Sequence, residues 1–256
     1  TRKKASGAIA ALCEGSAENQ DAVERNKGIA QLVSLLADDN GGSNEQEKGS
    51  KMKSGAWGKL KKLVPTKTKM LDDAVRAEAA AALAVLTRGN RTNQDKVSAV
   101  DGIKPLVAML HAERSVHAKE EAAGALWSLA ASHFDNQTAI ADAGGIAPLV
   151  AVLGLDSVRA QRQAGNALAA LALDNTLNQS SIAKLMVSLL GSSDRHIPAK
   201  AARAISHLAR ANAANQVSLA QAGGVTLLVK LLETADSTAP AAKSQPSRHA
   251  LSRQPT

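Results

Sequence analysis

The side chains in this 256-residue sequence that could do chemistry are few and scattered. The six histidines, His111, His117, His133, His196, His207 and His249, show no metal-site spacing. Cys13 is the single cysteine, so an intrachain disulfide is excluded. It falls on a buried-type helical position with no adjacent histidine to activate it. The carboxylate pairs Asp38-Asp39 and Asp72-Asp73 read as parts of a solvated loop. There is no Gly-x-Gly-x-x-Gly before a helix and no phosphate-binding Gly-Lys-Ser/Thr loop. No catalytic, cofactor or metal residue is assigned, and neither an enzyme nor a small-molecule substrate is expected.

Two groups of cations remain. Lys200, Arg203 and His207 fall on one helical face. Residues 48–69 hold eight lysines and no acidic residue, while the remainder of the chain carries 23 cations against 23 anions. The net charge of +8 is therefore a local property. Lys53, Trp57, Lys59, Lys61 and Lys62 form its basic, partly apolar centre, a composition that could meet anionic membrane, nucleic acid or an acidic protein. Gly55, Gly58 and Pro65 limit any helix there to about two turns.

The elements that position these residues repeat. Asn-Gln recurs at Asn19-Gln20, Asn93-Gln94, Asn136-Gln137, Asn178-Gln179 and Asn215-Gln216, with spacings of 74, 43, 42 and 37 residues. A second phrase follows in phase at Gly28-Ile29, Gly102-Ile103, Gly145-Ile146 and Gly224-Val225. An Ala-rich stretch completes each unit, as in Glu78–Leu83, Glu121–Leu126, Gln163–Leu168 and Lys200–Ile205. Each unit predicts three helices. The first is capped by Asn or Ser and closed at glycine, as at Gly144. The second has Pro105 or Pro148 near its start, and the third carries Ala122, Ala125, Leu126 and Leu129 on one face. After Asn178-Gln179 the Gly-Ile phrase is missing, which predicts fusion of the first two helices or loss of a turn.

These phrases resemble the armadillo family. They are Asn136-Gln137 through Ala143-Gly144-Gly145-Ile146 to Pro148-Leu149-Val150, and Glu121-Ala122-Ala123 through Leu129-Ala130. The resemblance implies an all-α, right-handed armadillo-type solenoid of about four to five three-helix units, incomplete at both ends. Residues 1–38 hold a partial unit and the start of the next. Residues 39–72 form a Lys-rich inserted loop. Residues 73–233 hold repeats with a shortened unit near 175–210, and 234–256 form a disordered tail. The chain opens at Thr1 and reads as a fragment of a longer array.

The resemblance further implies a scaffold that holds a partner segment in a groove lined by third helices. The first groove column reads Lys4, Glu78, Glu121, Gln163, Lys200; the fourth Gly7, Ala81, Gly124, Asn166, Arg203; the eighth Ala11, Val85, Ser128, Ala170, His207. The Trp and Asn ladders of importin-α-like members are absent, so the chain looks closer to catenin and vacuolar types and unsuited to basic nuclear-localisation peptides. Trp127, one step off the eighth column, is assigned to packing. Glu78, Glu121, Ser128, Gln163, Asn166, Lys200, Arg203 and His207 are the candidate partner-binding residues, and an extended or acidic protein segment is the expected partner. Two other functions stay open: the substrate-recognition region of a larger ubiquitin ligase or other multidomain enzyme, and nucleic-acid or anionic-membrane binding through 48–69. With no membrane-length apolar run, no signal peptide at the start and one cysteine, an intracellular address is expected.

Overall fold

The computed structural model describes residues 1–36, 67–111, 114–194, 197–210 and 212–237. These residues form fourteen α-helices and no strand. A lone third helix comes first, α1 (Arg2–Cys13). Three regular units follow: α2 (Ala17–Arg25), α3 (Gly28–Leu36), α4 (Lys67–Thr87); α5 (Arg91–Ala99), α6 (Ile103–Ala108), α7 (Val116–Ala130); and α8 (Phe134–Asp142), α9 (Ile146–Leu153), α10 (Val158–Ala172). The fourth unit has only α11 (Thr176–Leu190) and α12 (Ile197–Ala209). Then come α13 (Ala213–Gln221) and α14 (Gly224–Ser237). The first two helices of the fourth unit are therefore fused. Ser180-Ser181-Ile182-Ala183-Lys184 contains no glycine or left-handed residue to break them.

The recurrent Asn-Gln pair ties helices together. The amide nitrogen of Asn19, Asn93, Asn136, Asn178 and Asn215 donates to the carbonyl of Leu12, Leu86, Leu129, Leu171 and Leu208 respectively, at 2.6–3.1 Å. Each bond satisfies an orphan carbonyl in the last turn of the preceding third helix. The neighbouring glutamines do related work. Gln137, Gln179 and Gln216 donate to that same third helix, whereas Gln20 and Gln94 reach the third helix of their own unit at Val85 and Ser128. Ser16, Asn90, Asn175 and Asn212 cap the first helices as expected. The cap of α8 is instead His133, buried, with Nδ1 accepting the Asn136 N–H and Nε2 lying 2.7 Å from Asp95.

The turn between first and second helices uses two adjacent positions differently. The left-handed residue is Lys27, Asp101, Gly144 or Gly223. The glycine of the Gly-Ile phrase comes next and is required for close approach: a Cβ on Gly145 would lie 2.9 Å from the Ile140 carbonyl oxygen and 2.8 Å from its side chain. Gly145→Ala is expected to lower stability by about 1–3 kcal/mol through overpacking. Gly124→Ala, whose Cβ would meet only the end of Gln163 at 3.4 Å, is expected to be neutral or to stabilise by up to about 1 kcal/mol. Urea midpoints of the two variants check the contrast.

Third helices stack in series, α1 on α4, α4 on α7, α7 on α10 and α10 on α12. Alanines such as Ala80, Ala122, Ala123, Ala164 and Ala167 are fully buried in this stack. Side chains this small let the axes approach closely, and the array fills its core with Ala, Leu, Ile and Val rather than aromatics. Trp127 is half-buried against that core, and Cys13 is fully buried, where desolvation pushes its thiol pKa up. Two helix ends differ from the sequence expectation. The helix α4 starts at Lys67, inside the stretch assigned to the inserted loop, because no helix breaker follows Pro65. The helix α14 continues to Ser237, past the expected tail boundary, because no proline or glycine intervenes before Pro240. No helix of the described residues is long and apolar enough to cross a membrane.

Candidate partner-binding surface

The third helices bring charged residues of neighbouring units together in a row. Lys3 of α1 lies 3.8 Å from Glu78 of α4. One unit further, Glu120 and Glu121 of α7 face Arg159 of α10, whose Nε is 3.0 Å from Glu120 and whose NH2 is 2.7 Å from Glu121. Ser157 also donates to Glu120 at 3.1 Å, and His117 Nδ1 lies 3.7 Å from Glu121. Ion pairs thus link α1 to α4 and α7 to α10.

Burial raises the Glu121 carboxyl above the usual carboxylate range. Arg159 and then His117 pull it back, while Glu120 and Glu78 push the same way as burial. The protonated form is favoured by folding, so this contribution to stability is complete below the ordinary value of 4.5 and is lost as pH rises through the higher folded value. The gap in Tm between the unmodified chain and Glu121→Gln is therefore expected to move in favour of the variant as pH rises from 4.5. A flat or opposite trend in thermal unfolding would contradict the assignment.

His117, Glu120 and Glu121 can each offer one ligand atom within 4.8 Å of the others. Their i, i+3, i+4 spacing on α7 brings them together on one helical face. The Arg159 guanidinium bonds both carboxylates and supplies the cation there.

Several sequence-assigned residues lie elsewhere than expected. Ser128 is 5% exposed, and its hydroxyl meets that of Thr87 at 2.6 Å, joining α7 to α4. It offers nothing to a partner, because small residues bring the two helices into contact at that level. Val85 and Ala170 are buried too, so the eighth column is closed there. Asp73 is not a solvated loop residue. It is buried, and its carboxylate accepts from Arg114 at 2.9 Å and from the Ser115 backbone N–H at 3.0 Å. Lys53, Trp57, Lys59, Lys61 and Lys62 lie outside the described residues, as does the side chain of His207.

Of the candidate residues that reach the surface, Glu78 lies on α4 and the others lie on α10 and α12. Gln163 and Asn166 are half-buried on α10, and the Gln163 Oε1 atom is buried without a hydrogen-bond partner among the described residues. Lys200 and Arg203 are exposed on α12, and Arg162, which the sequence reading passed over, is exposed on α10. Neither α10 nor α12 contains an acidic residue. That absence was the available signal for Arg162. The only acceptors Arg159 finds are on α7, and Arg162, Lys200 and Arg203 make no ion pair among the described residues.

No protein-family model matches the sequence, and no curated protein matches it. Solved structures do. An engineered protein from the Northeast Structural Genomics Consortium is 27% identical, over 92% of this chain and 84% of that chain, with a TM-score of 0.60. A designed armadillo repeat protein is 21% identical, over 96% and 87%, with a TM-score of 0.58. The fold is an armadillo-like α-solenoid. Another designed armadillo repeat protein, in complex with the peptide (KR)4, is 22% identical over 91% of this chain and 85% of that chain, with a TM-score of 0.55.

Proposed function

We propose that this solenoid is a protein-binding scaffold that holds an extended acidic segment of a partner along the third helices of its C-terminal half. The observation that carries the reading is the unbalanced charge of α10 and α12: Arg162, Lys200 and Arg203 are exposed, and neither helix has a carboxylate. Gln163 and Asn166 stand beside these cations with amides able to bond a peptide backbone. The designed neighbour in complex with (KR)4 holds a basic peptide. The sign of the ligand here is read from this chain's own side chains, and it is opposite.

Binding should be carried by exposed charges and therefore weaken with salt. Fluorescence anisotropy with fluorescein-labelled heptaglutamate and heptalysine tests this on the unmodified chain. Heptaglutamate is expected to bind saturably at low ionic strength and to weaken as salt is added, with heptalysine not binding. Equal or stronger binding of heptalysine would reverse the reading. Binding of a DNA oligonucleotide in place of heptaglutamate would move the function to the lysines of 48–69.

A further inference from the structure

The fourth unit leaves an apolar surface unfinished. Its fused helix α11 ends in Leu189-Leu190-Gly191, matching Val152-Leu153-Gly154 at the end of α9. Val152 is 1% exposed, but Leu189 is only half-buried, as are Leu155, Leu185 and Ile197 nearby. These side chains surround a hollow of about 460 Å³ between α9, α11 and α12, with a wall of small residues that includes Ala151 and Ala204. The volume falls within the range of ligand pockets, roughly 300–1,000 Å³, and is ample for one large aliphatic side chain.

The one charged residue lining the hollow is Lys200, and no carboxylate lines it among the described residues. Lys200 lays its stem on the wall beside Gly154, where an added Cβ would stand 3.2 Å from Lys200 Cδ and 3.8 Å from Nζ, and the residue remains exposed to solvent. The same lysine therefore belongs to the basic row and to the apolar hollow. A ligand that satisfies both has an aliphatic group with a carboxylate close beside it.

We propose that this hollow is an anchor site for an aliphatic side chain of the acidic partner segment, with a flanking carboxylate on Lys200. The inference rests on the acidic-segment reading above and adds a sequence requirement to it. Charge alone would make all acidic segments equal, whereas an anchor makes one position prefer Leu, Ile or Met. Burying one leucine side chain is expected to tighten binding about tenfold or more.

The test compares two fluorescein-labelled peptides, each of six glutamates around one central residue, leucine in one and serine in the other. The leucine peptide is expected to bind the unmodified chain at least tenfold tighter. Ala151→Phe, which places a ring in the hollow from an exposed position on α9, is expected to erase that difference while leaving the serine peptide unchanged. Should Ala151→Phe fail to fold by circular dichroism, the leucine-to-serine ratio on the unmodified chain decides alone. Equal binding of the two peptides overturns the anchor and leaves the acidic-segment reading standing. If neither peptide binds, that reading fails and the anchor with it. Binding of dodecanoate without the leucine peptide would assign the hollow to a fatty acid and overturn the peptide anchor.

Discussion

Replacing Asp73 by alanine is expected to destabilise the array by about 3 kcal/mol, the cost typical of breaking a buried ion pair by removing one partner. Asp73 lies near the start of the described side chains of α4, and its carboxylate is 9% exposed between two cations. Arg114 is 2.9 Å away and Arg76 3.9 Å away, with side-chain exposures of 13% and 8%. The other carboxylate oxygen accepts the N–H of Ser115, the residue that caps α7. Deletion removes a negative charge from between two guanidiniums and takes an acceptor from a backbone donor at a helix start. Asp73→Asn keeps the volume and one acceptor, so it should fall between alanine and the unmodified chain. Urea unfolding followed by circular dichroism measures all three. An unchanged midpoint for Asp73→Ala would mean that this network contributes nothing to holding α4 against α7.

That network also marks where the sequence stopped being readable. The helices were legible because their signals are local and periodic. The Asn-Gln pairs fix the phase, and each Asn bonds a carbonyl seven residues back in every unit. The missing Gly-Ile phrase likewise foretold the fused α11, since a helix without a breaker continues. The site depends instead on which helical faces meet across units. Asp73 finds Arg114 at 41 residues' separation, and Ser128 finds Thr87 at the same separation. Nothing in the sequence around either residue distinguishes a buried partner from water. His133 is a similar case: it occupies the capping position that Asn or Ser fills elsewhere, and its tie to Asp95 belongs to the packing of α8 beside α5. The basic end of the row was legible for the opposite reason. Lys200 and Arg203 stay exposed and have no partner to locate among the described residues.

Reversing both of those charges, Lys200→Glu with Arg203→Glu, is expected to weaken heptaglutamate binding about tenfold at low ionic strength, or about 1.4 kcal/mol. Each exposed charge contact is worth under about 1 kcal/mol, but reversal exchanges an attraction for a repulsion at two positions. The loss should shrink as salt rises, because both side chains are exposed and screening acts on attraction and repulsion alike. The fold should be unaffected, since neither side chain makes an ion pair among the described residues. Net charge is the competing explanation, because the double reversal lowers it from +8 to +4. Lys104→Glu with Lys230→Glu changes the charge equally on second helices, where both lysines are exposed. If the two double variants lose affinity to the same degree, the peptide is responding to the field of the whole chain and α12 is no binding surface. If only the α12 pair loses affinity, the third-helix row at the C-terminal end is where the acidic segment lies.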